Sequence, residues 1–208
     1  MIWKVCGMRE IANINDVAAL GPHFMGFIFF EKSPRNVTGI LNVETLQQLP
    51  ASIRKIGVFV NAPTEFIEKQ VADFQLNGVQ LHGNELPEQC AYFLGKGLIV
   101  LKAFSVDATF DFAVTDAYQD KASYLLFDTK APNGYGGHGV SFDWNLLKNY
   151  TGFTPFLLAG GVSLENIEEV KNLTHQQFAG IDVNSRFELS PAQKDISKLS
   201  TLKKAIGL

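Results

Sequence analysis

Two side chains that can exchange protons follow short apolar segments of the chain. Cys6 comes directly after IWKV, and Asp128 closes YLLFD. A carboxyl group at the end of an apolar segment is partly desolvated, which favours the neutral form that can donate a proton. A thiol near a helix N-terminus or a cationic side chain can have a depressed pKa and act as a base or nucleophile.

Each of these residues also has a structural interpretation that the sequence leaves open. A single cysteine is more often a small buried side chain than a catalyst. An aspartate at the end of a strand can simply cap the loop that follows. Two such groups at the ends of two strands nevertheless favour acid–base chemistry more than either does alone.

Two glycine- or serine-containing turns can bind an anion. In LLAGGV, Gly160 and Gly161 lie between an apolar segment and a helix expected to open at Ser163. Glycines in such a position let backbone N–H groups approach an anion closely. In DVNSRFE, Ser185 and Glu188 match the capping box of a short helix, which would provide a second anion-binding turn.

An arginine and a histidine are further candidates for ligand contacts. Arg35 in EKSPRN can hold a carboxylate through two parallel hydrogen bonds, or it can be a solvated surface charge. His82 in QLHGNE can contact a ligand or be held by hydrogen bonds within the protein.

The glycine-rich segment GYGGHG resembles a nucleotide-binding fingerprint only formally. Gly134, Gly136 and Gly139 have the G-x-G-x-x-G spacing, but the first glycine does not follow the apolar segment directly. An acidic residue about 20 positions later is also missing. We therefore interpret the segment as a mobile loop over a site.

Eight apolar segments rich in Ile, Val, Leu and Phe recur along the chain. They are IWKVC, FMGFIFF, IRKIGVFV, GVQLH, LIVLKAF, YLLFD, PFLLA and AGIDV. Continuous rather than alternating apolar character implies burial on both faces, which is typical of parallel strands covered by helices. Segments with helical spacing lie between most of them, at 62–76 with Thr64 as the N-cap, at 163–173 and at 194–206.

This alternation predicts a single (β/α)8 barrel domain over residues 1–208. The second unit is the weakest, because a loop and only a short helix follow its strand. A doubly wound open sheet remains the competing architecture. In a barrel, residues that follow the strands gather at one rim, where Asn61 and the segments 31–35 and 182–185 would join the candidates above. The loops after strands seven and eight commonly bind phosphate in such barrels, so the two turns favour a phosphate site.

Composition restricts the partners of the chain. The formal net charge is −3, without a long basic run, which argues against nucleic acid or an anionic membrane as the main partner. The two cysteines form no C-x-x-C pair, so neither a disulfide framework nor a zinc site is expected. No apolar stretch approaches ~20 residues, and no signal peptide is apparent. We expect a cytoplasmic protein, either a monomer or a homodimer.

With these residues assembled, the chain resembles the phosphoribosylanthranilate isomerases of tryptophan biosynthesis. The resemblance runs nearly end to end, through KVCG (4–7), SPR (33–35), GVFVN (57–61), QLHG (80–83), LLFDTK (125–130), GGHG with FDW (136–144), LAGGV (158–162) and GIDVNSRFE (180–188). Any one of these motifs is weak. Eight in order, at the ends of the inferred strands, are specific.

The resemblance implies a (β/α)8 barrel without a metal or organic cofactor. It implies that Cys6 is the general base and Asp128 the general acid of an Amadori rearrangement of phosphoribosylanthranilate. Arg35 would hold the carboxylate of the substrate.

Further residues would contact the substrate, by the same resemblance. His82, Gly137 and His138 would be substrate contacts. Gly160, Gly161, Asn184, Ser185 and Arg186 would bind the phosphate.

The chain departs from the family pattern at two positions. Arg186 stands where glycine is expected, and we expect it to add a cationic contact to the phosphate. His138 stands where threonine is common, which affects only the detailed contacts of that loop.

Two other functions remain open at this point. A related barrel could act on another aminated ribose phosphate, such as the substrate of the histidine-pathway isomerase, but that reaction is expected to use paired aspartates and Cys6 stands at the end of the first strand. A non-catalytic barrel could instead bind a phosphorylated metabolite. The presence of both Cys6 and Asp128, the two residues that the catalytic reaction would need, argues against a non-catalytic barrel.

Overall fold

Eight apolar segments form the parallel strands that the sequence predicts. The computed structural model describes residues 1–129 and 142–208. Each strand pairs in parallel with the next, and the eighth pairs with the first, so the sheet closes. The strands are β1 (Ile2–Val5), β2 (Phe24–Ile28), β3 (Arg54–Phe59), β4 (Gly78–Leu81), β5 (Ile99–Val106), β6 (Tyr124–Thr129), β7 (Phe156–Leu158) and β8 (Phe178–Val183). The closed sheet confirms the (β/α)8 barrel and excludes the open sheet.

The connections between the strands differ in length and kind. The α-helices are α1 (Ile11–Leu20), α2 (Val43–Gln47), α3 (Thr64–Phe74), α4 (Pro87–Gly95), α5 (Ile167–Lys171) and α6 (Ile196–Ala205). The second unit has only the short α2, as the sequence predicts, but it is not weaker than the seventh, since α5 is equally short. Two 3-10 helices, Phe112–Tyr118 and Trp144–Asn149, take the place of α-helices after β5 and β6.

The segment after β8 contains structure that the sequence does not predict. A 3-10 helix, Ser185–Phe187, is followed by an antiparallel hairpin of β9 (Glu188–Ser190) and β10 (Gln193–Lys194) before α6 begins. Lys194 therefore belongs to a strand and not to the predicted helix over 194–206. Asp195 is the N-cap of α6, and its side chain accepts a hydrogen bond from the backbone N of Lys198.

Two predicted helix starts differ from the observed ones. Thr64 is the first residue of α3 and not its N-cap. The helix expected to open at Ser163 begins only after Asn166, because the Asn166 side chain bonds the backbone N of Ser163 and the backbone O of Gly161. These bonds favour a turn over a helix between β7 and α5.

The barrel interior changes from apolar to polar towards the carboxyl ends of the strands. A small apolar cluster fills its lower part, formed by Phe24, Ile56, Leu101, Ala103, Leu126, Leu157 and Ala159. Side chains two residues apart on a strand share a face. Asp128 therefore shares the inner face of β6 with Leu126 and lies nearer its carboxyl end. The same alternation places Lys4 and Cys6 on one face of the chain at β1.

A buried ion pair holds the loop between β4 and α4, which includes His82. Nζ of Lys102 lies 2.9 Å from Oε2 of Glu85 and donates to the backbone O of Gly83 at 2.6 Å. The Glu85 carboxylate accepts hydrogen bonds from the backbone N of Gly83 and of Asn61. The pair therefore joins the loops that follow β3 and β4.

We expect Glu85→Ala to lower the free energy of unfolding by about 3–5 kcal/mol, because it leaves the ammonium of Lys102 buried without its partner. Urea unfolding measures this change. Glu168→Ala is the matched control, since Glu168 pairs with Lys171 on the surface and should change stability little. Equal effects of the two substitutions would contradict a structural role for the buried pair.

Candidate active site

The barrel brings the predicted residues to the carboxyl ends of its strands. Cys6 follows β1, Arg35 lies in the loop after β2, His82 follows β4, Asp128 lies near the end of β6, Gly160 and Gly161 follow β7, and Asn184, Ser185 and Arg186 follow β8. Gly137 and His138 lie outside the described residues, as does the whole GYGGHG segment that we interpret as a loop over the site.

Cys6 is buried at the end of β1, and its backbone N donates to the backbone O of Val183 at 2.9 Å. A side chain at Gly26 of β2 would place its Cβ 2.7 Å from Sγ, so glycine at this position makes room for the thiol. Burial raises the pKa of the Cys6 thiol, although the ammonium groups of Lys4 and Lys194 oppose that shift. Desolvation thus outweighs the nearby cations.

Asp128 lies beside His82, which in turn lies beside Gln80 of β4. Its Oδ1 accepts a hydrogen bond from the backbone N of Thr129 at 2.8 Å, and its Oδ2 lies 3.3 Å from Nε2 of His82. The amide Nε2 of Gln80 lies 2.7 Å from the other ring nitrogen, Nδ1. Because an amide nitrogen can only donate, the neutral ring carries its proton on Nε2, facing Asp128.

A buried ion pair connects the surroundings of Cys6 with those of Asp128. Nζ of Lys4 lies 2.7 Å from Oδ2 of Asp182 on the neighbouring strand β8. Lys4 also interacts with Cys6, and the charge of Asp182 interacts with Asp128 and His82. The thiol and the carboxyl group therefore belong to one polar region inside the barrel mouth.

Glu188, which the sequence predicts to be part of a helix-capping box, holds Arg35 instead. Nε of Arg35 donates to Oε1 of Glu188 at 2.9 Å, and its Nη2 donates to Oε2 at 2.6 Å. Glu188 also accepts from Nζ of Lys194 at 2.6 Å. The capping-box prediction is thus wrong, since Glu188 begins β9 and Asn184 is the N-cap of the 3-10 helix. A ligand carboxylate would meet the opposite edge of the guanidinium, formed by Nη1 and Nη2.

The pKa values of Glu188 and Lys194 are set by burial and by the charges that the two residues and Arg35 place on one another. The bonds from Arg35 and Lys194 lower the pKa of Glu188 despite the opposing effect of burial. Burial lowers the pKa of Lys194 to about 8, although Glu188 opposes the shift. Nζ of Lys194 also donates to Oδ1 of Asn184 at 2.7 Å, which turns that side chain towards the cluster.

The two candidate phosphate turns lie beside the polar region. Gly160 and Gly161 have φ angles of +70° and +76°, which side chains rarely adopt. A Cβ at Gly160 would collide with Thr129 and lie 2.7 Å from Oδ1 of Asp128. In the turn after β8, Ser185 is half-buried and Arg186 is exposed.

A model of the N-(5′-phosphoribosyl)anthranilate (PRA) isomerase family matches residues 3–205. The chain belongs to this family. It is an isomerase of tryptophan biosynthesis. The PRA isomerase of Parabacteroides distasonis is 47% identical over 203 residues, which are 96% of this chain and 90% of that protein.

Solved PRA isomerases share the fold over the whole chain. The enzyme from Thermotoga maritima is 32% identical, with a TM-score of 0.85 and coverage of 100% of both chains. Another structure, of a PRA isomerase in complex with reduced 1-(o-carboxyphenylamino)-1-deoxyribulose 5-phosphate, is 29% identical, with a TM-score of 0.82 and the same coverage.

Several polar residues of this site are missed by reasoning from the sequence. Lys4, Gln80 and Lys194 are not among the predicted residues, and Glu188 is predicted only as part of a capping box. A signal was present for two of them: Lys4 interrupts the apolar segment IWKVC, and Gln80 stands two residues before His82. A polar residue inside an apolar strand is unusual unless it is paired, so both positions indicate a nearby polar partner.

Within residues 1–129 and 142–208, no group of three or more His, Cys, Asp or Glu side chains could hold a metal ion. No helix in the same ranges is long and apolar enough to cross a membrane.

Proposed function

We propose that the chain converts phosphoribosylanthranilate to 1-(2-carboxyphenylamino)-1-deoxyribulose 5-phosphate by an Amadori rearrangement, with Cys6 as general base and Asp128 as general acid. The observation that carries the proposal is the single polar region that includes both groups. Their strands, β1 and β6, lie apart in the barrel order, so the two side chains can approach a small sugar from different sides.

Asp128 acts first in this proposal. Its carboxyl group protonates the ring oxygen of the ribose, and the C1′–O bond breaks to give an open-chain Schiff base. The proton on Nε2 of His82 faces the carboxylate that is left, 3.3 Å away, and stabilises its negative charge. His82 thus has two roles in this proposal: it stabilises the Asp128 carboxylate, and it contacts the substrate.

Cys6 acts in the second step. Its thiolate removes the proton from C2′, and the electron pair moves into the C1′–C2′ bond to give an enolamine that tautomerises to the ketone product. Burial makes the thiolate a stronger base, because it raises the pKa of the thiol. The nearby ammonium of Lys4 offsets part of the cost of the buried negative charge.

The two ends of the substrate are held by different loops. Arg35 binds the anthranilate carboxylate, while Gly160, Gly161, Asn184, Ser185 and Arg186 form the phosphate site. Since Lys194 already holds the Asn184 side chain, Asn184 contributes its backbone N–H to the phosphate site in this proposal. His82, Gly137 and His138 contact the sugar between them. Fixing both ends orients C2′ towards the thiol, which lowers the entropic cost of the reaction.

The test is turnover of freshly made phosphoribosylanthranilate, followed by the loss of its fluorescence. Loss of fluorescence that depends on the enzyme, together with formation of the deoxyribulose product, supports the proposal. Turnover of the corresponding histidine-pathway substrate alone would favour the related isomerase. Binding of phosphoribosylanthranilate without turnover would favour a non-catalytic barrel. Either of these two outcomes would overturn the proposal.

Glu188→Gln should raise KM about tenfold or more and change kcat less, because Arg35 and Lys194 lose the charge that holds them. Steady-state kinetics over a range of phosphoribosylanthranilate concentrations measures both constants. Glu168→Gln on the surface is the control and should change neither. A normal KM in the Glu188 variant would mean that Arg35 is not held in place by this residue.

Arg186→Gly should weaken the binding of substrate several-fold and make it less sensitive to salt, since one cation near the phosphate is lost. KM measured at several ionic strengths gives both effects. Lys171→Ala is the control, because it removes a surface charge at the end of α5. The same loss of salt dependence in Lys171→Ala would contradict a direct contact of Arg186.

A further inference from the structure

Lys4 is a fully buried lysine inside the barrel. It pairs in register with Asp182 on β8, and its Nζ lies 2.7 Å from Oδ2 of that carboxylate. Burying an ion pair costs more than its attraction returns unless the remaining polar atoms are satisfied as well. Oδ1 of Asp182 is buried, and it has no hydrogen-bond partner among the residues that the structure describes. Stability alone is therefore a poor explanation for this pair.

The second partner of Lys4 is the thiol of Cys6. The two residues are two positions apart at β1, so their side chains share the inner face, and the charge of the ammonium favours ionisation of the thiol. The charges of Asp182 and Cys6 raise the pKa of Lys4 against the opposing effect of burial. Lys4 therefore keeps its positive charge throughout the neutral pH range.

Two other charged groups face Cys6. Asp182 on β8 opposes ionisation of the thiol, and Lys194 on β10 favours it. Lys194 is already bound to Glu188 and Asn184, and its pKa of about 8 means that it loses charge as the solution becomes mildly alkaline. Lys4 is therefore the cation whose charge persists beside the thiol.

We propose that Lys4 is a positioning residue for the reaction: its ammonium, held by Asp182, is the counter-ion that favours the thiolate form of Cys6 against the effect of burial. The thiolate takes the C2′ proton, while Lys4 retains its own proton throughout. This role rests on the proposed function, in which Cys6 is the base.

The experiment compares wild type with Lys4→Met, which keeps the length of the side chain and removes its charge. Alkylation of Cys6 by iodoacetamide is followed against pH by peptide-resolved mass spectrometry, which separates Cys6 from Cys90. The midpoint pH for Cys6 should rise by about one unit or more. kcat at neutral pH should fall about tenfold or more and recover in part at higher pH, with KM nearly unchanged.

Lys102→Met is the matched control, since Lys102 is an equally buried lysine paired with Glu85 on the other side of the barrel. It should leave the alkylation midpoint of Cys6 unchanged, whatever it does to stability. If Lys4→Met does not fold, the double variant Lys4→Met/Asp182→Asn, which removes both charges of the pair, is compared with Asp182→Asn alone: the midpoint should be higher in the double variant.

A wild-type midpoint in folded Lys4→Met would overturn the proposal, as would equal midpoints in the double variant and in Asp182→Asn. These outcomes are distinct from failure of the proposed function. Near-normal turnover by Cys6→Ser would remove Cys6 as the base, whereas the alkylation midpoint would still report whether Lys4 controls its ionisation.

Discussion

Cys6→Ser is expected to lower kcat for phosphoribosylanthranilate by a factor of ~10²–10⁴, the usual effect of removing a positioned base. Serine is close to cysteine in size, and Gly26 leaves room for either side chain. A hydroxyl group gives up its proton far less readily than a thiol, so serine cannot supply the anion that removes the C2′ proton. KM should change little, because the substrate is held by its two ends. The fluorescence assay measures both constants.

Cys90→Ser is the control for this substitution. Cys90 is the second thiol of the chain, buried on α4, where desolvation raises its pKa to about 11. It lies in the packing between helix and sheet, so its replacement should leave kcat near the wild-type value. A Cys6→Ser enzyme as active as Cys90→Ser would remove Cys6 from its role as base.

Asp128→Asn should also lower kcat by ~10²–10⁴, because the amide cannot donate the proton that opens the ribose ring. The substitution preserves the shape of the side chain and an oxygen that can accept from the backbone N of Thr129. The loss should therefore appear in kcat and not in stability, and kinetics together with thermal unfolding measures the two separately.

Asp143→Asn is the matched carboxylate control. Asp143 is exposed, and its side chain caps the 3-10 helix Trp144–Asn149 through the backbone N of Asn145. Its replacement should have little effect on turnover. If Asp128→Asn retains most of the wild-type kcat, the acid must be another group, and His82 beside it would be the first to examine.

The sequence predicts the barrel because its eight strands are continuous apolar segments. The same segments predict the positions of Cys6, His82 and Asp128, since each follows or ends one of them. This part of the prediction depends on local patterns and on the geometry of parallel strands, which brings their carboxyl ends to one rim.

The network around these residues depends on contacts between distant parts of the chain. Ser185 and Glu188 match a local capping pattern, yet Glu188 instead binds Arg35, which is far away in the sequence. Two strong charge-assisted bonds outweigh one helix cap. The hairpin that includes Lys194 is likewise stabilised by Asn13 of α1, whose side chain bonds the backbone N and O of Lys194. Contacts between residues so far apart in the sequence cannot be predicted from a local sequence pattern.

A crystal structure of this chain with reduced 1-(o-carboxyphenylamino)-1-deoxyribulose 5-phosphate would show whether Cys6 and Asp128 flank the sugar. We expect the sugar to lie between β1 and β6, with Sγ of Cys6 roughly 3–4 Å from C2′ and the carboxyl group of Asp128 on the other side of the sugar. The phosphate should lie against Gly160, Gly161 and the turn at Ser185. A ligand bound with its C2′ out of reach of Cys6, or away from the barrel mouth, would rule out Cys6 and Asp128 as the base and acid.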